Sequence, residues 1–142
     1  MKTYILQELN EGNAARIDTL LHMLSPDAPA LGYARLAELL AGDSFWLFVT
    51  EDGDGQLAGM LTLTRCHTLS RSKFWIEDVI VDPAYRGQGV GRALVHAAVE
   101  YVKDYGQGSS LYLTSNPSRT AARALYRSEG FEEYETGVFR IV

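Results

Sequence analysis

Apolar and polar positions change their period several times along the 142-residue chain, and the changes mark its elements. Thr3–Leu9 alternates and predicts a first strand. Asn10 or Asn13 then offers a helix cap, and a helix is expected over about Ala14–Leu24. The run Ser25-Pro26-Asp27-Ala28-Pro29 breaks it, and a second helix over Leu31–Leu40 ends near Gly42. Ser44–Thr50 and Gln56–Cys66 read as the arms of a hairpin around the turn at Glu51–Gly55. Trp75–Val81 is β-branched and aromatic, reads as a central strand, and is stopped by Pro83.

Helical spacing returns from Gly89 to about Asp104, where Val90, Leu94, Ala97, Ala98, Tyr101 and Val102 recur; Gly106 and Gly108 end it. Ser110–Thr114 predicts a short strand. Asn116-Pro117 opens a further helix, with Ala121, Ala122, Leu125 and Tyr126 as its inner face and Gly130 as its C-terminal cap. Phe131–Tyr134 and Gly137–Val142 read as a last pair of strands. The order β-α-α-β-β-β-α-β-α-β-β predicts an α+β fold, a three-layer α/β arrangement with helices on the faces of a mixed sheet.

Composition narrows the function classes. The length suits one domain over residues 1–142. No apolar run is long enough for a membrane span, and the first residues lack the pattern of a signal peptide. Cys66 is the only cysteine, which rules out an internal disulfide and a cysteine metal site and suits a cytoplasmic chain. A formal net charge of -5 without a basic stripe argues against nucleic-acid binding. His22, His67 and His96 have no partners at metal spacing, so no metal is expected.

The chemistry concentrates in Ile76–Leu94, IEDVIVDPAYRGQGVGRAL, where a strand meets a glycine turn and then a helix. Glycines there let the backbone approach a ligand, and the helix start presents unpaired N–H groups at the positive end of the macrodipole. That combination suits a phosphate or pyrophosphate, with Arg86 and Arg92 as added cations. A Walker loop is excluded because the chain has no Gly-Lys pair. A dinucleotide fingerprint fails because Arg92 stands where its third glycine or alanine belongs. The pattern Arg/Gln-x-x-Gly-x-Gly/Ala is met in full by Arg86, Gly89 and Gly91.

This segment resembles the acetyl-CoA motif of the GNAT superfamily, the general N-acetyltransferases. The resemblance extends to Ile76–Pro83, which looks like the family's fourth strand, to Asn116, and to Ala122-x-x-Leu125-Tyr126-x-x-x-Gly130-Phe131. It implies a mixed, mostly antiparallel sheet splayed between strands 4 and 5, and acetyl-CoA as cosubstrate. It further implies that Val79, Ile80 and Val81 hold the pantetheine arm and that Gly87, Gln88, Gly89, Val90 and Gly91 hold the pyrophosphate. A backbone N–H near Val79 would stabilise the oxyanion. Tyr126 would be the general acid that protonates the CoA thiolate, and Asn116 would help to hold the CoA arm. A phenol near ~10 and a thiol near ~8.5 are close enough for that transfer.

Glu77 is the first candidate for the base and Asp78 the second; strict alternation puts them on opposite faces unless a bulge intervenes. Cys66 falls outside these motifs and is expected to pack within its strand. Tyr33, Arg35, Trp46 and Trp75 are candidates for the acceptor side, although core or surface roles explain each of them too. The expected acceptor is a small-molecule or peptide amine, with no membrane or nucleic-acid partner and a possible homodimer through the last strands. A non-catalytic CoA-binding regulatory module and a structural interaction domain are the alternatives.

Overall fold

A computed structural model describes residues 1–142. Its elements are β1 (Lys2–Ile5), α1 (Glu11–Leu24), α2 (Tyr33–Ala41), β2 (Phe45–Glu51), β3 (Leu57–His67), β4 (Ser72–Val81), a single 3-10 turn at Pro83–Tyr85, α3 (Val90–Tyr105), β5 (Ser110–Tyr112) and α4 (Thr120–Ser128). The strands lie side by side in chain order; every pairing is antiparallel except β4 with β5, which is parallel. This is the mixed α+β sheet that the pattern implied.

α1 begins three residues before the expected Ala14 because its cap is reciprocal. The Asn13 N–H donates to Asn10 Oδ1 at 2.9 Å, and the Asn10 N–H donates to Asn13 Oδ1 at 2.8 Å. Both asparagines act, not one or the other. α1 and α2 cover one face of the sheet through Ile17, Leu20 and Leu36 on Leu47, Val49 and Met60. α3 covers the other through Val90, Leu94 and Ala98 on Leu61, Phe74 and Ile76, joined by Tyr126 of α4. Each of the Val, Leu, Ile, Phe and Met side chains among these adds about 1.5–3 kcal/mol when taken out of water. Gly59 of β3 sets how closely α3 can approach: a Cβ there would sit 2.8 Å from the Ile80 carbonyl oxygen and 2.9 Å from Val90 Cγ1.

Four expectations need correction. Phe131–Tyr134 and Gly137–Val142 are not strands; residues 131–142 form no regular element. Glu132 and Glu133 interrupt the first of these segments, and the second finds no partner for its backbone groups, without which strand composition has no effect. Asn116 does not cap α4, which starts at Thr120; its Oδ1 instead accepts from the Ser118 N–H at 3.0 Å and the Ser118 hydroxyl at 2.9 Å. β5 stops at Tyr112, two residues short of Thr114. Cys66 is exposed near the end of β3 and is not packed.

Candidate active site

The site begins where β4 parts from its neighbour. β5 pairs with β4 only from Lys73–Trp75 to Ser110–Tyr112, and β4 runs on to Val81 without it. Within the unpaired stretch the register with β3 slips: Thr62 faces Glu77 and Met60 faces Ile80, so Asp78 and Val79 together oppose one residue. Asp78 takes up the bulge with φ 47°, a left-handed conformation that Asp tolerates, and its Oδ2 accepts from Thr62 Oγ1 at 3.0 Å. The bulge that sequence alone left open is therefore present.

Beyond Val81 the chain is fastened before it turns. Asp82 Oδ1 accepts from the Ala84 N–H at 2.9 Å, and Oδ2 accepts from the Arg16 guanidinium at 2.6 Å. Arg16 Nε also donates to the Leu57 carbonyl at 2.9 Å, tying α1 to β3 and to the turn. The Ala84 N–H and then Arg16 hold the Asp82 carboxyl below the usual carboxylate range. Tyr85 closes the other side, its hydroxyl donating to Asp52 Oδ2 at 2.5 Å. That bond leads the effects that lower the Asp52 carboxyl and raise the Tyr85 phenol.

The glycine turn follows. Gly87 and Gly89 have φ of 79° and 80°, and nothing lies within 4 Å of where a Cβ would stand on either. Both carry left-handed backbone that costs an L-residue about 1–2 kcal/mol, with open space above it. Gly89 is the N-cap of α3 and supplies no side-chain oxygen, so the first N–H groups of that helix keep no cap within the chain.

A cavity of about 690 Å³ joins this turn to the gap in the sheet. Val79, Ile80, Val81, Arg86, Gly87 and Gly91 line it. The Val90 side chain is buried in the core, leaving only its backbone for a ligand, and Gln88 is exposed. Arg92 is turned away, with Nη1 2.6 Å from Ser128 Oγ and 3.2 Å from Glu129 Oε1. Asn116 lies outside the lining, engaged with Ser118. Met23, Leu24 and Arg119 join the wall. Sequence reasoning missed them: two are apolar residues at the end of an amphipathic helix, and a lone arginine carries no motif.

Tyr126 stands on the far wall, brought there by the end of α4. Gly130 has φ 99°; its N–H donates to the Arg127 carbonyl at 3.1 Å and that of Phe131 to the Tyr126 carbonyl at 3.0 Å. This is a Schellman ending, with Phe131 packed on Tyr126 at 6.1 Å between ring centroids. Tyr126 lines the large cavity and also a second one, of about 350 Å³, along the outer edge of β5. Trp75 lines that second cavity, stacked on Tyr112 at 5.0 Å, with Tyr134 meeting Tyr112 edge-on at 5.9 Å.

Phe74 and Ile76 point into the α3-side core, which leaves Trp75 and Glu77 on the opposite face. Glu77 is exposed and lines neither cavity. Its partial burial, and then the Asp78 charge beside it, push its carboxyl above the usual range. The remaining candidates do not converge here. Trp46 packs on Phe74 and Tyr101 at 5.7 and 5.3 Å, the Tyr33 hydroxyl donates to the Leu9 carbonyl, and Arg35 pairs with Glu38. The three histidines lie apart, bonded to Asp18 and Ala28 carbonyls, to Ser72 and to Glu129.

Comparison with known proteins agrees with this geometry. N-alpha-acetyltransferase RimI of Mycobacterium tuberculosis is 30% identical over 110 residues, covering 68% of this chain and 67% of that protein. Streptothricin acetyltransferase of Streptomyces lavendulae is 33% identical over 84 residues, 59% of this chain and 43% of its own length. Among solved structures, a putative acetyltransferase from Agrobacterium tumefaciens superposes with TM-score 0.84 at 27% identity, over 100% of this chain and 99% of that one. A model of the acetyltransferase (GNAT) family matches residues 14–131. The left-handed glycine turn, the opened sheet and the residues matched make this chain a member of the GNAT family and an acetyltransferase.

Proposed function

We infer that the protein moves an acetyl group from acetyl-CoA directly to a primary amine of a small molecule or peptide. The observation that carries this reading is Tyr126, shared by two cavities: one runs to the glycine turn, the other to the aromatic wall at β5. The residues suit the cosubstrate. The Gly87 and Gly89 N–H groups make no backbone hydrogen bond and are available to a diphosphate beside Arg86. The edge of β4 beyond Trp75 is free to pair with an amide-bearing arm. Acetyl-CoA supplies the activated thioester; the chain supplies position and proton transfer.

Glu77 takes the proton from the acceptor ammonium, a role favoured by its raised carboxyl and reached through water if the amine sits above Trp75. The freed nitrogen attacks the carbonyl carbon. The N–H at the Asp78–Val79 bulge donates to the carbonyl oxygen as charge gathers there, an interaction worth about 2.7–4 kcal/mol in comparable sites. The C–N bond forms, the C–S bond breaks, and Tyr126 gives its proton to the leaving sulfur; the new amide nitrogen sheds its extra proton, which returns through water to the Tyr126 phenolate. The aromatic wall of Trp75 and Tyr112 favours a cationic acceptor. The names of the relatives span a protein N-terminus and an antibiotic, which supports both acceptor kinds.

Thiol release from acetyl-CoA, measured across a panel of aminosugars, polyamines and peptides, tests the reading. Amine-dependent release is the expected result, with about 2.7 kcal/mol of added stability at a hundred times the dissociation constant. No heat on titration with millimolar acetyl-CoA would overturn it. Binding without release over the whole panel would replace it with a regulatory CoA-binding module.

A further inference from the structure

Arg92 and His96 stand one turn apart on α3, and both reach across to the end of α4 instead of into the ligand cavity. They grip one carboxylate, that of Glu129, the C-cap of α4. Its Oε1 accepts from Arg92 Nη1 at 3.2 Å, and its Oε2 accepts from His96 Nδ1 at 3.0 Å. A carboxylate only accepts, so His96 Nδ1 carries the hydrogen. Arg92 Nη1 also donates to Ser128 Oγ at 2.6 Å, and that hydroxyl donates to the Leu125 carbonyl at 2.7 Å. The Glu129 side chain is only 12% exposed, so little water competes for these bonds. His96, and after it Arg92, hold the carboxyl below its usual range.

No other side-chain hydrogen bond joins α4 or its cap to another helix or strand. The remaining ties are the apolar contacts of Ala122, Leu125 and Tyr126. Apolar burial has no direction and sets only how deep α4 lies. Hydrogen bonds have direction and set where it lies along α3. Tyr126 precedes Glu129 by three residues, about 4.5 Å along a helix axis. At the other end of the link, a Cβ on Gly91 would stand 3.7 Å from Leu125 Cδ1, so the first turn of α3 and the last turn of α4 are in touch. The grip therefore ties Tyr126 to the helix that starts at the glycine turn.

We propose that Glu129 is the positioning residue of Tyr126: held by Arg92 and His96, it fixes the phenol hydroxyl relative to the glycine turn. Arg92 then serves the placement of the acid and not the diphosphate. The catalytic part of this assignment rests on the acetyl-transfer reading; the placement of the ring does not.

Glu129→Ala should lower kcat with the best acceptor of the panel about a hundredfold, the loss that a shift of about 1 Å in a reacting group can cause. Its dissociation constant for acetyl-CoA should stay unchanged by calorimetry. Arg92→Ala should show the same split, and it tests the link from α3 if Glu129→Ala does not fold by circular dichroism. In a Tyr126→Phe background, Glu129→Ala should lower turnover less than about twofold further, because the hydroxyl that it places is already gone. Ring-proton shifts of Tyr126 should differ between Glu129→Ala and wild type. Equal losses with and without the hydroxyl would mark a merely structural role and overturn the proposal. Full turnover in Glu129→Ala, or weakened acetyl-CoA binding in Arg92→Ala, would overturn it as well. If the wild type acetylates no amine, the ring shifts decide: a change keeps the placement and drops only the catalytic reading, and no change overturns the placement too.

Discussion

The two sides of the opened sheet are built differently. On the β4 side the ligand turn is held before any ligand arrives: Asp82, Arg16, Leu57, Tyr85 and Asp52 fix the chain ahead of Gly87. On the β5 side three residues make one strand, its outer edge is bare, and the chain after α4 settles into no element. On the reading proposed above, the first side presents the same N–H groups to a diphosphate each time, and rigidity there lowers the cost of binding. The second side would admit the acceptor and release the product, and it is the place where the fold is least complete.

The largest test of the contrast is Gly89→Glu. The position needs φ of 80° and faces open space on the proposed diphosphate side, so a carboxylate adds strain, bulk and like charge together. Acetyl-CoA affinity should fall at least about a hundredfold, about 2.7 kcal/mol, by calorimetry. Normal binding would show that the turn is not where the diphosphate lies. Next is Tyr126→Phe, which keeps the ring on Phe131 and removes only the hydroxyl. Turnover should drop about 10²- to 10⁴-fold with acetyl-CoA affinity nearly unchanged. Equal losses in both would move Tyr126 from proton transfer to binding.

The same contrast explains what the sequence made legible. The β4 side is local: a strand, Pro83, glycines at fixed offsets and an amphipathic helix are neighbours in the chain, so their residue types report the structure directly. Gly130 was legible for the same reason, since a Schellman ending is written in a few consecutive residues. The clamp was not. Arg16 and Asp82 are 66 positions apart, and nothing in either neighbourhood marks the other. Met23 and Leu24 on the cavity wall were hidden likewise. GVFRIV carries a strand's composition, but a strand exists only against a partner, and composition does not say where the partner is.

A smaller effect is expected at the clamp. Asp82→Asn keeps the shape and weakens the charge-assisted bond to Arg16, and should cost about 1–3 kcal/mol of stability by denaturant unfolding. The acid limb sharpens it. The folded Asp82 carboxyl lies below its unfolded value near ~3.9, so its contribution is present above that pH and lost as pH falls through the lower, folded value. Wild type should therefore lose stability over that window more steeply than Asp82→Asn. Parallel curves would mean that the clamp does not depend on the charge.

The smallest effect concerns the loop after α1, which borders the wall formed by Met23 and Leu24. His22 places Nδ1 2.8 Å from the Asp18 carbonyl and Nε2 2.8 Å from the Ala28 carbonyl. A ring facing two acceptors donates at both nitrogens only when it carries both protons, so the folded loop favours the imidazolium. These two bonds, the Asp18 one first, raise the group above its ordinary value near ~6.5. A raised value means that the contribution is complete below the unfolded pKa and fades as pH climbs through the folded one. Ring-proton shifts of His22 should titrate above ~6.5, and amide exchange across residues 25–32 should quicken over the same range. His22→Gln donates to one carbonyl at most and should exchange at the faster rate throughout. A wild-type loop whose exchange, corrected for the intrinsic pH dependence, stays flat from acid to alkaline pH would show that the two carbonyls do not hold the ring, and that this border of the cavity is as fixed as the β4 side.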